Sequence, residues 1–172
     1  MSPAAAALAE LRRIEARLSA FEDTSDLVEL NRHAGRTGMR LDHDLREVLA
    51  LAARYRESSG GAFNIAVEPL MRAWGFHRPR TGPPPAGEVE EAHQAVAEAV
   101  IRIDGDRATL PCAHTLLDLG GIGVGYGLDR AVAVLRARGI QRALLDISGD
   151  CLALGAPPGE TGWLVGVADP NR

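Results

Sequence analysis

The chain has 172 residues, 46% hydrophobic, 24% charged and 4% aromatic, with a formal net charge of −4 at pH 7. That size and apolar content suit one domain with its own core. The acidic balance, the lack of a basic face and the scarcity of aromatics for base stacking exclude a nucleic-acid partner.

Leu8, Leu11, Ile14, Leu18 and Phe21 recur at helical spacing, which predicts an amphipathic helix over residues 4–21. A polar break from Glu22 to Asp26 precedes a short structured turn ending at Asn31. Asp42 or Asp44 can cap a second helix that carries Leu45, Val48, Leu49, Ala52 and Tyr55 on one face and stops at Ser58-Ser59-Gly60-Gly61. Ala62 to Phe76 reads as a loop entering a short helix, residues 77–87 as a Pro-rich surface linker, and Glu88 to Val96 as helix again.

The second half changes character. Val100 to Ile103 and Ala108 to Leu110 flank Asp104-Gly105-Asp106, the pattern of a β-hairpin. Thr115 to Leu119 reads as a third strand. After it comes a run with five glycines, at 120, 121, 123, 125 and 127, read as a loop that opens a helix carrying Leu128, Val132 and Leu135. Gly139 ends that helix, Ala143 to Ile147 is the next strand, and Trp163 to Val167 is a last strand running to Asp169-Pro170. Helices followed by strands indicate an α+β or mixed α/β chain. The expected organisation is a single partial domain, with residues 1–98 mainly helical and residues 99–172 β-rich.

The glycine run is the most informative segment. Glycines let a backbone approach a ligand closely, and a following helix N-terminus suits phosphate. Their alternate spacing is not the dinucleotide-binding fingerprint, and a plain tight turn is the other reading. Asp118, where the apolar run ends, is a carboxylate that is costly to leave unpaired. Phe63 and Trp74 serve equally as core residues or ligand contacts, Asn64 suits a helix cap, and Asp129-Arg130 reads as a structural ion pair. Cys112 and Cys151 fit no metal-ligand spacing and read as buried free thiols in a reducing cytoplasm. No stretch reads as a signal peptide or membrane span.

Three segments, in order, and a further one upstream of them resemble one family. Ser59-Gly60-Gly61-Ala62-Phe63-Asn64, with Pro69-Leu70 and Trp74-Gly75-Phe76, resembles the GGAFD, GPL and WGF elements of the ApbE family. Asp118 to Arg130 is similar to its DLGGIAKGYAVDR stretch. Ala143 to Asp150, with Trp163 and Gly166 to Pro170, resembles its ALVNLGGD and W-x-VGI-x-DP elements, and Glu15 to Asn31 its SELSRLN element.

The resemblance implies an α+β, ApbE-like (T-fold-like) mixed sheet with flanking helices, here truncated. It implies a FAD:protein FMN transferase, which cleaves the FAD pyrophosphate with Mg2+ and joins FMN to a threonine or serine of a target flavoprotein. Some members instead hydrolyse FAD to FMN and AMP. A divalent cation suits that chemistry because it neutralises pyrophosphate charge. Phe21, Ala62, Phe63, Asn64 and Asp118 are then the FAD contacts, and Gly121 offers its backbone carbonyl to magnesium. Family members are often periplasmic or lipid-anchored, whereas this chain as written reads as cytoplasmic.

Several positions depart from the family pattern. Val124 stands for the loop lysine, Asn64 for the aspartate of GGAFD, Val28 for a serine of the early element and Asp146 for the asparagine of NLGGD. Neither the C-terminal A-D-A-x-x-T element, which completes the magnesium site, nor the N-terminal MGT element has a counterpart here. Three readings are therefore open: a transferase, a non-catalytic flavin-binding module, and a degenerate structural paralogue that complements an active relative in an oligomer.

Overall fold

A computed structural model of the chain describes residues 1–76 and 79–169. It has two compact units: residues 13–123, and residues 1–12 with the described residues from Val124 onward. The division cuts through α1 (Pro3–Leu18) and α6 (Gly120–Ala137), each of which contributes to both units.

Unit 13–123 is built on α2 (Asp26–Arg32) and α3 (His43–Ser58). Ser25 caps α2 by accepting from the Val28 N–H at 3.1 Å, and its own hydroxyl donates to Ser19 O at 2.6 Å. Asp42 caps α3 through the Asp44 N–H at 3.0 Å. Leu45, Val48, Leu49 and Ala52 are buried at helical spacing, but Tyr55 is 53% exposed, so the apolar stripe ends a turn early. Gly60 and Gly61 terminate α3 at positive φ (61° and 88°), with their N–H groups on Glu57 O and Arg56 O. A 3-10 turn (Ile65–Val67), α4 (Glu68–Ala73) and α5 (Ala86–Ala97) follow. The predicted linker over 77–87 includes His77 and Arg78, which lie outside the described residues.

The predicted hairpin is present as β2 (Arg102–Asp104) and β3 (Arg107–Thr109), turning at Gly105. A further short strand, β1 (Met39–Arg40), pairs antiparallel with β3, giving the order β1-β3-β2. The approach to β1 requires glycine at 38, where a Cβ would meet Thr109 Oγ1 at 2.3 Å and the Ala108 carbonyl oxygen at 2.5 Å.

In the other unit, Ala7 of α1 packs against Ala131 and Leu135 of α6, flanked by Leu11, Ile140, Ala143 and Leu145. Arg130 turns to Glu10 of α1 at 3.3 Å, in place of the expected pair with Asp129. Consecutive helix positions point apart, whereas an adjacent helix offers a carboxylate in reach. β4 (Ala143–Ile147) pairs antiparallel with β5 (Asp150–Leu154), a partner the sequence reading did not include. The two turn residues between them, Ser148 and Gly149, both take positive φ (53° and 99°), the condition for a tight primed hairpin turn.

Three sequence expectations fail here. Trp163 to Val167 pairs with no strand among the described residues, and Leu164 is 98% exposed; Trp163 Nε1 donates to Leu154 O instead. The stretch was expected to run to Pro170, which lies outside the described residues. Thr115 to Leu119 forms no strand and joins no ladder. Cys151 is exposed rather than buried, and Cys112 is half-buried. The Cys151 thiol lies 3.1 Å from Asp146 Oδ2. That hydrogen bond, joined by one from the Gly149 N–H, holds the Asp146 carboxyl below its usual range, and the thiol–carboxylate bond itself raises the Cys151 thiol above its own. The fold class is the expected α+β. Among the described residues no helix is long and apolar enough to cross a membrane.

Candidate functional site

Residues 115–119 run largely buried into the start of α6; Thr115 and Leu117 are fully buried and Leu119 is 2% exposed. Such a segment must satisfy its backbone groups without a sheet. Leu117 is held through both its N–H and its carbonyl by the Asn31 side chain, at 2.8 and 2.9 Å. The Asp118 N–H donates to Ile65 O at 2.8 Å, which ties this segment to the 3-10 turn.

The expected glycine loop is not a loop. Gly120, Gly121, Gly123, Gly125 and Gly127 all lie within α6. Their poor helix propensity, about 1 kcal/mol each against alanine, is overcome by the packing of the helix further along, where Leu128, Ala131, Val132 and Leu135 are buried. The phosphate argument keeps its second half, the helix N-terminus. There the Asp118 carboxylate accepts from the Gly120 N–H at 2.7 Å, and Ile122 and Gly123 donate to Leu119 O at 3.0 and 2.6 Å. The Gly121 N–H lies outside those three bonds, at the positive end of the helix dipole.

Phe63 lies against this first turn. A Cβ on Gly121 would sit 3.3 Å from Phe63 Cε2, and one on Gly120 would sit 2.9 Å from Asp118 Oδ1. The Phe63 ring is half-buried and meets Tyr55 edge-on, with centroids 6.0 Å apart. Its N–H is fixed by Ser59 Oγ at 2.9 Å. Next along the chain, Asn64 caps the 3-10 turn through the Ala66 N–H at 3.0 Å. Ala62 is exposed at the head of the same loop.

The structure therefore brings Phe63, Asp118 and Gly121 together, with Ala62 and Asn64 flanking Phe63 in sequence. Phe21 is 78% exposed in the turn between α1 and α2, where its N–H bonds Ser19 Oγ. A cavity of about 480 Å³ opens against the same loop, lined by Leu49, Ala52, Arg56, Asn64, Ile101 and Ile103 among others. Sequence reasoning missed the bonds made by Asn31 and by the Ile65 carbonyl, and spacing carries no signal for either. Trp74 is 52% exposed and so is not a core residue.

Magnesium needs several oxygen ligands, with carboxylates as anchors. Gly121 would offer a single carbonyl already within helix geometry. Among the described residues no group of three or more His, Cys, Asp or Glu side chains is placed to hold a metal. These residues by themselves do not fit a magnesium site.

The Gly121 environment separates the glycines by function. Around a Cβ at Gly125 nothing lies within 4 Å. Gly125→Ala should therefore stabilise the protein by about 0.5–1 kcal/mol through helix propensity. Gly121→Ala carries the same propensity gain but must push Phe63 aside, so the expected net change is near zero or a loss. Urea denaturation of the two variants checks this; equal stabilisation would mean that Phe63 gives way freely.

The sequence matches the family model described as the ApbE family across residues 2–172. It is 33% identical to the FAD:protein FMN transferase of Treponema pallidum, over 94% of this chain and 49% of that protein. To the FAD:protein FMN transferase of Haemophilus influenzae it is 27% identical, over 94% of this chain and 49% of that protein. Its fold is similar to the crystal structure of the flavinyl transferase ApbE of Pseudomonas stutzeri in the apo form, with TM-score 0.85, 28% identity, and coverage of 99% of this chain and 55% of that one. The ApbE protein of Thermotoga maritima gives TM-score 0.88 and 26% identity, covering 99% of this chain and 56% of that one. The chain spans about half the length of the curated relatives it matches.

Proposed function

The chain belongs to the ApbE family, and we propose that it serves the transfer of FMN from FAD to a threonine or serine hydroxyl of a target flavoprotein. In that reaction the hydroxyl oxygen bonds to the FMN phosphorus as the pyrophosphate bond to AMP breaks. AMP leaves and the hydroxyl gives up its proton.

The observation that carries the reading is the meeting of Phe63, Asp118 and Gly121 at the start of α6. In this reading the half-buried Phe63 ring offers an apolar face to the flavin. The Asp118 carboxylate accepts a hydrogen bond from the flavin or ribityl portion and, being anionic, is kept for a donor rather than for phosphate. The Gly121 N–H and the helix dipole attract the pyrophosphate. Ala62, Asn64 and Phe21 are proposed as outer contacts of the same substrate. Gly121 is proposed to offer one backbone carbonyl to magnesium, and the described residues do not by themselves complete a site for the ion.

A second reading, a flavin-binding module without catalysis, is favoured by Val124, an uncharged side chain on α6 where the family pattern has lysine. The two separate in one experiment: titration of the purified chain with FAD by flavin fluorescence, with and without magnesium, alongside an assay for AMP. Saturable binding strengthened by magnesium and accompanied by AMP release supports the transferase. Binding indifferent to magnesium, without AMP, supports the module. A folded chain that does not bind FAD at millimolar concentration would overturn both.

A further inference from the structure

We propose that Asn31 is a positioning residue for this site: its carboxamide acts as a one-residue strand partner for Leu117 and thereby sets Asp118 and the first turn of α6. The role in flavin binding rests on the function proposed above; the structural role does not.

The two bonds are reciprocal. Asn31 Nδ2 donates to Leu117 O at 2.9 Å, and Asn31 Oδ1 accepts from the Leu117 N–H at 2.8 Å. This is the exchange that two facing residues make in an antiparallel ladder, supplied here by a side chain 86 residues away in sequence. A primary amide presents a donor and an acceptor side by side in this way, which an ionised carboxylate cannot.

The next amide along the chain finds a different partner. The Asp118 N–H donates to Ile65 O at 2.8 Å. Residues 117 and 118 are thus clamped from two sides, by α2 and by the 3-10 turn next to Asn64. Two residues on, the Asp118 carboxylate receives the Gly120 N–H.

The support behind Asn31 is firm. Leu27 and Leu30 of α2 are fully buried, and Ser25 caps the helix. Asn31 therefore projects from an anchored element onto a segment that has no sheet to hold it. Removing the carboxamide leaves the Leu117 backbone groups buried and unpaired, which favours a shift of the segment.

The test pairs residue-resolved amide hydrogen exchange with FAD titration on the wild type, Asn31→Ala and Asn31→Asp. The diagnostic amides are Asp118 and Gly120, because neither bonds Asn31. In Asn31→Ala, their protection is expected to fall by about tenfold or more relative to amides in the middle of α3. The FAD dissociation constant of the folded protein is expected to rise by about tenfold or more. In Asn31→Asp, the carboxylate lacks the donor, so protection is low at pH 7. It recovers toward pH 4, where a protonated carboxyl again donates to Leu117 O, while the wild type shows no such recovery.

A merely structural Asn31 would give a uniform loss of protection throughout the unit, or unchanged protection at Asp118 and Gly120. Either result overturns the positioning role. If the wild type binds FAD and folded Asn31→Ala binds it equally well, the link from Asn31 to the site is overturned. If the wild type binds no FAD but Asp118 and Gly120 loosen as described, the positioning of the segment is upheld and the flavin reading is what falls.

Discussion

Asp118→Ala is expected to weaken FAD binding by roughly 10- to 100-fold, the range for losing a hydrogen bond to a charged group. The same variant should lose about 1 kcal/mol of stability, because the carboxylate also accepts from the Gly120 N–H at the start of α6. Asp118→Asn separates the two contributions. Its carbonyl oxygen still serves the Gly120 N–H, so stability should stay near that of the wild type, while the lost charge lowers affinity to an intermediate value. Calorimetric titration with FAD and urea denaturation measure both quantities on the same three proteins. If both variants bind FAD as the wild type does, Asp118 is a helix-start residue and nothing more. The substrate contact would then have to be sought elsewhere, with the cavity lined by Arg56 and Asn64 as the next place to look.

The parts of this fold that were legible in the sequence are those decided locally. Leu45, Val48, Leu49 and Ala52 mark one helix face, Gly60 and Gly61 stop the helix, and the Asp104-Gly105-Asp106 turn joins two strands. Each of these is settled within a few residues. Thr115 to Leu119 shows the opposite case. Its apolar run is buried but forms no strand; its partner is one side chain far away in sequence, and no period or propensity registers that. The glycine run misled because five glycines argue against helix by propensity, whereas burial of Leu128, Ala131 and Val132 further along decides in its favour. Trp163 to Val167 has strand composition but no partner among the described residues, and strands are stabilised in pairs. At the candidate site, the family motifs carried Phe63, Asp118 and Gly121 to one place. They carried Phe21 no further than an exposed turn, and they contained no account of why Asp118 stands where it does.

Arg13→Met should cost the protein about 3 kcal/mol of stability at pH 7, near the lower end of what breaking a buried ion pair costs. Asp44 sits in the first turn of α3 with its side chain only 3% exposed, and Arg13 meets it with two guanidinium nitrogens, at 2.5 and 3.2 Å. Such a two-pronged contact is stronger than a single charged hydrogen bond. The Arg13 side chain is itself 42% exposed, so water reaches part of the vacated space and holds the loss below the upper limit for a fully buried pair. The pair is expected to matter chiefly through what its breakage leaves behind, a carboxylate in a place where water cannot fully solvate it. It follows that removing the second charge should undo much of the damage: Arg13→Met combined with Asp44→Leu is expected to recover more than half of the loss. Recovery should be incomplete, since an acid in the first turn of a helix also favours that helix by a few tenths of a kcal/mol or more. Urea denaturation of the wild type, both single variants and the double variant closes the cycle. A loss under about 1 kcal/mol for Arg13→Met would put the contact among ordinary surface pairs, and a double variant no better than the single would mean that Asp44 is held by groups other than Arg13.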